Sequence, residues 1–502
     1  MINNLKTVTK GSLVYGFGNI SIKLVGLILI PFYTNEKHLS VSDFAVMGII
    51  DITSQFLIAL VSLSLYQALF RWYWEDGYKD KRKSMFFSVF AFITLVSIIS
   101  TLIFTLYSSQ LSVLLFDSKQ YSYALKVMMV SSALQILIML VQSLMKIQQK
   151  PVFFTITNVV KLLVTLLLTI LFLVVYKRGI EGIYEAQIFG SVIFLILCSK
   201  YLSRNFELTF NYRLIKEMLR YSYPLLLAST TGSLIFILDK YVLNYMVSRS
   251  EVSIYVFAYR ITNSLKIFVI ASVQMAVTPF VFQIMNDRNN KRFYSKYMTY
   301  FAFIVMICGI ALSIFGYELV RLFAQSEIYY NAWTVIPILM FAFYFSMLKD
   351  TATTGLQIKM KTGIISIITV LITILNLGLN YLLVNKLSYY GSSLAFLLSQ
   401  FLFFVFSYYF AQRVYHVAYE VRKIFLITIL GVFICVLPYF INEADLWIRL
   451  LVKIVSLISF PILLYPMGFY EEIEITRLKE IWKKWKNPTM WIHNLKKEKM
   501  DF

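Results

Sequence analysis

The chain holds little with which to do soluble enzyme chemistry. Of 502 residues only three are cysteine and three histidine. Cys198, Cys308 and Cys435 fall inside apolar runs, too few and too scattered for a disulfide framework or a metal cluster, and are expected to pack. His38, His416 and His493 are far apart in the chain, and there is neither a G-x-x-x-x-G-K-[ST] phosphate loop nor an HExxH motif. An ATP-driven pump would need its nucleotide domain elsewhere. Charge is also scarce, 15% of residues, and acids are scarcer than bases, 26 against 47. The longest polar stretch, around 203-SRNFELTFNYRLIKEM-218, is too short to bury a core of its own.

What fills the chain is apolar, 59% of residues. Runs such as 162-LLVTLLLTILFLVV-175 and 363-GIISIITVLITILNLGL-379 match the thickness of a hydrocarbon core at the rise of an α-helix. The pattern predicts an all-α, polytopic membrane protein of about 14 spans, at roughly 11–33, 43–70, 85–107, 121–145, 152–176, 182–201, 221–247, 252–285, 297–320, 331–356, 363–384, 390–411, 424–441 and 445–467. The first span has Lys6 and Lys10 before it but no small-residue cleavage site after it, so it is expected to be retained. Pro279 and Pro337 are expected to kink their spans.

The net charge of +21 does not point to nucleic acid, because of where the cations lie. On the span map roughly 31 Lys and Arg fall on the side of both termini and about 7 on the other, which places both termini in the cytoplasm. The inward segments include 79-KDKRK-83, 146-KIQQK-150 and 288-RNNKR-292. After residue 471, Ile475, Leu478, Ile481, Trp482 and Trp485 share a helical face opposite Lys479, Lys483 and Lys486, the pattern of a helix lying on the inner leaflet.

The chain repeats itself at an offset of about 210 residues, a common way to build a transporter. The hairpin 27-LILIPFYTNEKHLSVSDFAVMGII-50 corresponds to 236-FILDKYVLNYMVSRSEVSIYVFAYRI-261. The expected division is an N-terminal lobe of six spans (1–202), a linker (203–217), a second lobe of six (218–416), an extra helix pair (417–470) and the basic tail (471–502).

Charges inside spans cost roughly 2.5 to 3.5 kcal/mol each at a helix centre, so each calls for a reason. Lys23 shares a stripe with Tyr15 and Asn19, and Asp51 returns past it at similar depth. In the second half Asp239 and Arg260 are nearly equidistant from the turn at Arg249, with Asn263 and Lys266 following along the helix. The expectation is a pair Lys23–Asp51 and a pair Asp239–Arg260. Three cations, Lys23, Arg260 and Lys266, against two acids suit an anionic substrate such as a pyrophosphate. Lys161, Lys349 and Asp350 are weaker candidates, expected to snorkel or pair locally.

With 31-PFYT-34, 42-SDFAVMG-48, 69-LFRWYWE-75, 221-YSYPLLL-227, 238-LDKYVL-243 and 255-YVFAYRI-261, in that order and spacing, the chain resembles the Wzx-type polysaccharide flippases of the multidrug/oligosaccharidyl-lipid/polysaccharide exporter superfamily along essentially its whole length. The resemblance implies two pseudo-symmetric lobes around a cavity that opens alternately to each side of the bacterial cytoplasmic membrane. It also implies a substrate of oligosaccharide on polyprenyl pyrophosphate, destined for O-antigen, capsule or exopolysaccharide. It implies cavity cations at Lys23, Arg71, Lys240, Arg260 and Lys266. Asp51 and Asp239 are expected as ion-pair or coupling acids. The expected partners are membrane lipids and the polymerase and glycosyltransferases of the same pathway, with no bound cofactor, no metal, and H+ or Na+ coupling. A related MATE-like antiporter of drugs or metabolites would favour an acidic cavity. A glycan-assembly enzyme would be expected to show a large outward loop, whereas 248-SRSE-251 and 442-NEAD-445 are very short.

Overall fold

In a computed structural model of the chain, residues 28–285, 287 and 289–476 are described. Lys23, the first predicted span up to Gly26–Leu27 and the basic tail beyond Thr476 lie outside them. The described chain is helical throughout, with no strand. In the first half come α1 (Val41–Val61), α2 (Leu65–Trp72), α3 (Arg82–Leu106), α4 (Ser122–Ile147), α5 (Pro151–Ile170) and α6 (Gly179–Asn205). The second half holds α7 (Tyr212–Leu234), α8 (Leu238–Met246), α9 (Arg249–Leu265), α10 (Ala271–Gln283), α11 (Asn290–Ile314), α12 (Gly316–Phe323), α13 (Ile336–Ala352) and α14 (Thr362–Val414). α15 (Val421–Val436) and α16 (Leu446–Leu463) close the described chain.

Among the described residues nine helices are long and apolar enough to cross a membrane, or ten if the bent pair Glu327–Thr334 and Ile336–Ile358 is one span. This is a multi-pass membrane protein. The outer faces of α3 and α16 carry Leu95, Ile98, Leu102, Leu451, Val455 and Ile458 exposed, as lipid-facing helices must. Several spans are broken. α1 gives way to α2 at Leu63 and Ser64, both in the left-handed region, α7 stops three residues before α8, and a π-helical turn at Lys266–Ile270 separates α9 from α10. Pro337 does not kink a span from within. It occupies the first turn of α13, where its missing N–H costs nothing, and the 48° bend lies just ahead of it.

α14 runs for 53 residues with one non-helical residue, Ser388, at φ 51°. At about 1.5 Å per residue it is more than twice as long as the hydrocarbon core is thick. The chain doubles back at Ser388, because a Cβ on Gly391 would come within 2.2 Å of the Leu383 carbonyl oxygen. No side chain fits there.

The repeat shows in the way corresponding helices begin. Ser40 caps α1 by accepting the Asp43 amide, and Ser248 caps α9 in a full capping box with Glu251. Both helices start on the same face of the molecule and cross inside it. A Cβ on Gly48 would lie 2.6 Å from Val256 Cγ2, so the glycine sets the approach of α1 to α9. On the face where these helices start, polar bonds join the two halves. Arg249 donates to Ser42 Oγ at 3.1 Å and to the Phe116 carbonyl, Asn244 Nδ2 to the Leu115 carbonyl at 2.6 Å, and Tyr245 to the Leu114 carbonyl at 3.0 Å.

Candidate functional site

Arg260 lies eleven residues into α9 and Asp51 ten residues into α1, about 15 Å from the helix starts. They meet. Arg260 Nη2 donates to Asp51 Oδ2 at 2.6 Å. The other carboxylate oxygen accepts the Tyr184 hydroxyl at 2.8 Å, from α6. The guanidinium stands 5.5 Å from the centre of the Tyr33 ring and 5.2 Å from that of Phe44. Two aromatic faces therefore support the cation without neutralising it. Asp51 keeps 35% and Arg260 21% of its side-chain surface accessible, so this pair faces a space rather than a packed seam. Two residues further along α1, Thr53 and Tyr241 of α8 share a hydrogen bond at 2.7 Å, a second polar link between halves.

This corrects the pairing expected from the sequence. Asp239 does not face Arg260. The break between α7 and α8 places Asp239 in the first turn of α8, where its carboxylate accepts the Lys240 amide at 2.9 Å and the Tyr255 hydroxyl, with the Lys240 ammonium 3.5 Å away. Equal distance from a turn gave similar depth but not orientation, and α9 turns Arg260 toward α1. Asp51 takes the partner that the sequence assigned to Asp239.

The other expected cavity cations do not converge on Arg260. Lys240 is 3% exposed and engaged within the second half. Lys266 opens the π-helical turn, its ammonium 3.6 Å from the centre of the Phe236 ring and 5.9 Å from that of Phe343. Asn263 is half-buried on the preceding turn. Arg71 is exposed near the other end of the molecule, its guanidinium 4.8 Å from the centre of the Tyr221 ring of α7 and 5.2 Å from that of Trp72. Trp72 meets Tyr221 edge-on, a contact between halves on the side opposite the Arg249 seam. Lys349 pairs with Asp350, which also accepts from Gln274 Nε2 at 3.1 Å.

Sequence reasoning passed over a buried polar ladder in α14. Asn380 Nδ2 donates to the Asn376 carbonyl at 3.0 Å, Asn376 Nδ2 to Ser399 Oγ at 3.1 Å, and Ser392 Oγ to Asn380 Oδ1 at 2.9 Å. Two asparagines at four-residue spacing within an apolar run were the signal.

The overall fold is shared with solved transporters. The chain superposes on the lipid II flippase MurJ in its inward closed conformation with a TM-score of 0.72 at 14% identity, covering 91% of this chain and 100% of that one. It matches an inward-facing multidrug resistance MATE family transporter of the MOP superfamily at TM-score 0.60 and 16% identity, covering 80% and 92%. The MATE transporter VcmN of Vibrio cholerae, in its bent form, aligns at TM-score 0.55 and 13% identity over 82% and 96%. The fold is thus that of the MOP superfamily of transporters and flippases. A family model described as polysaccharide biosynthesis protein matches residues 38–329, more than half of the chain, and the chain belongs to that family. No curated protein sequence gives a significant match.

Proposed function

We propose that the protein is a flippase that carries an oligosaccharide on polyprenyl pyrophosphate from the inner to the outer leaflet of the bacterial cytoplasmic membrane, for assembly of a surface polysaccharide. One observation carries the reading: a guanidinium deep inside the molecule, at the crossing of the two halves, held by a single acid. The head of such a lipid cannot enter hydrocarbon unaided, while its tail never has to leave it. The protein need only shelter the head.

Arg260 uses one nitrogen on Asp51 and has donors to spare, and a pyrophosphate with more charge than a carboxylate competes for it. Binding would then draw Arg260 away from Asp51 and loosen the α1–α9 contact, so that the substrate itself favours rearrangement of the halves. Protonation of Asp51 would release Arg260 in the same way, which makes Asp51 the place where a proton gradient acts. Asn263 and Lys266 extend the polar path beyond Arg260, and Arg71 sits where the head would first meet the protein if the termini face the cytoplasm, as the charge distribution supports.

The test is export. Arg260→Gln, at normal levels in the membrane, should abolish or strongly reduce surface polysaccharide while the lipid-linked precursor accumulates on the inner leaflet. Arg260→Lys should keep part of the activity, a point charge without the bidentate fork. Unimpaired export by Arg260→Gln, together with efflux of cationic drugs dependent on Asp51, would replace this reading with the antiporter.

A further inference from the structure

The break between α7 and α8 has a chemical consequence. Residues Ile235–Ile237 leave the helix, and the Phe236 carbonyl points to the side chain of Lys240, whose ammonium donates to it at 2.9 Å. The same ammonium is 3.5 Å from Asp239 Oδ1 and 3.5 Å from the centre of the Tyr259 ring. Asp239 is 0% exposed and Lys240 3%. Behind them the Ser392 hydroxyl reaches the Asp239 carbonyl at 3.5 Å and connects to the Asn380 and Asn376 ladder, all of it buried.

A buried carboxylate, a carbonyl released by a helix break and neutral oxygen side chains behind them are the ligands with which broken membrane helices hold a monovalent cation near the bilayer midplane. In this chain the cation is a side chain. Its cost of burial is offset by the carboxylate, the carbonyl and an aromatic face together, and the ammonium and its carboxylate are both shut off from solvent. We propose that the Lys240 ammonium is a tethered cation standing in a monovalent-cation position of the second half. This position therefore exchanges no ion in the natural protein, and becomes a site for K+ or a small alkylammonium when Lys240 is shortened. An ammonium has contact distances close to those of K+ and longer than those of Na+, so K+ and methylammonium are the expected occupants. For transport this would mean that no ion gradient is coupled through Asp239, a point that rests on the flippase reading; the cation position itself does not.

The experiment uses thermal unfolding of the purified full chain in detergent, with N-methylglucamine chloride replaced by KCl, NaCl or methylammonium chloride at constant ionic strength. Lys240→Ala should gain about 2 °C or more in Tm with K+ or methylammonium, as a ligand that binds the folded state must produce. Wild type, Lys240→Met, which fills the space without a charge, and the double variant Asp239→Asn/Lys240→Ala should not respond. A wild type stabilised by the same cations would overturn the proposal, since the position would already exchange. So would a folded Lys240→Ala that ignores all of them. If Lys240→Ala folds only when prepared in K+ or methylammonium, the proposal is supported. If no cation recovers it while the double variant folds, the lysine is only a structural partner of Asp239 and the proposal fails. No readout here is transport, so failure of the flippase reading would leave the result unchanged.

Discussion

Asp51 and Arg260 are the residues on which most depends. Each single change, Asp51→Asn or Arg260→Gln, should loosen the contact between halves and raise the rate at which an impermeant thiol reagent labels a cysteine placed at Asn244 in the polar seam. The double variant should label no faster than the faster single one, since both remove the same interaction. Additive rates would show that the two act separately. The residue types of this site were legible in the sequence, because charge within a span is expensive enough to stand out. Their pairing was not. Depth follows from counting residues from a turn, but the direction of a side chain depends on how two helices cross, and that is set by Gly48 and Val256. Tyr184 was hidden for a different reason: among 35 tyrosines nothing marks the one whose hydroxyl reaches Asp51.

The helices themselves were largely legible, since an apolar run of the right length has few alternatives. α3, α4, α6 and α16 stand within a few residues of predicted spans, whereas α11 begins seven residues ahead of its span and ends six before that span does. The breaks were not legible, because Leu63, Ser64 and Phe236 carry none of the proline or glycine that usually marks an interruption. Two glycines show where geometry leaves no choice. Gly391→Ala should sharply lower the amount of folded protein, because its methyl group would strike the backbone at Leu383 and the hairpin at Ser388 has no room to yield. Gly48→Leu should fold, since the contact there is with a side chain, but should separate α1 from α9. In that variant Asp51→Asn should no longer increase labelling at position 244. Normal levels of Gly391→Ala, judged by fluorescence-detected size exclusion, would contradict the first expectation.

Taken whole, the molecule is held together between its halves at three levels, the Arg249 seam, the Asp51–Arg260 crossing and the Trp72–Tyr221 contact, and clamped elsewhere. A flexible bifunctional thiol reagent linking cysteines at Leu114 and Tyr245, whose backbone and hydroxyl meet in the polar seam, should block export reversibly if the halves must part there. Undiminished export by the cross-linked protein would exclude that motion. A separate clamp joins the start of α11 to the segments around α15 and α16. Lys296 donates to Glu420 at 2.8 Å and to Glu471, and Lys423 pairs with Glu420 at 3.0 Å. The hydrogen bond from Lys296 holds the Glu471 carboxyl below its ordinary range. Burial raises Glu420, but the bonds from Lys296 and Lys423 outweigh it and leave it lowered too. Carboxyls depressed in the folded state stabilise fully above the ordinary carboxylate pKa and lose that contribution as pH falls through the depressed value. Tm should therefore drop between about pH 6 and pH 3, and Lys296→Met should remove part of that drop. An unchanged profile in the variant would place the acid sensitivity elsewhere.

The ion pair joins residues 209 positions apart, which is the interval at which the chain repeats, and Gly48 meets Val256 at nearly the same interval. Gly48 and Val256 each stand eight residues after the serine that caps their helix, and Asp51 and Arg260 are one residue from the same register, so nearly equivalent positions of the two repeats touch each other. In a dimer of identical subunits a residue on the axis faces its own copy. An acid there would meet an acid, a base would meet a base, and only a neutral residue could be tolerated. Covalent fusion of the repeats lifts that restriction, since each copy can change alone. The attraction at the centre of this protein is therefore available only to a single chain, and splitting it into two matched subunits would forfeit the ion pair between its halves.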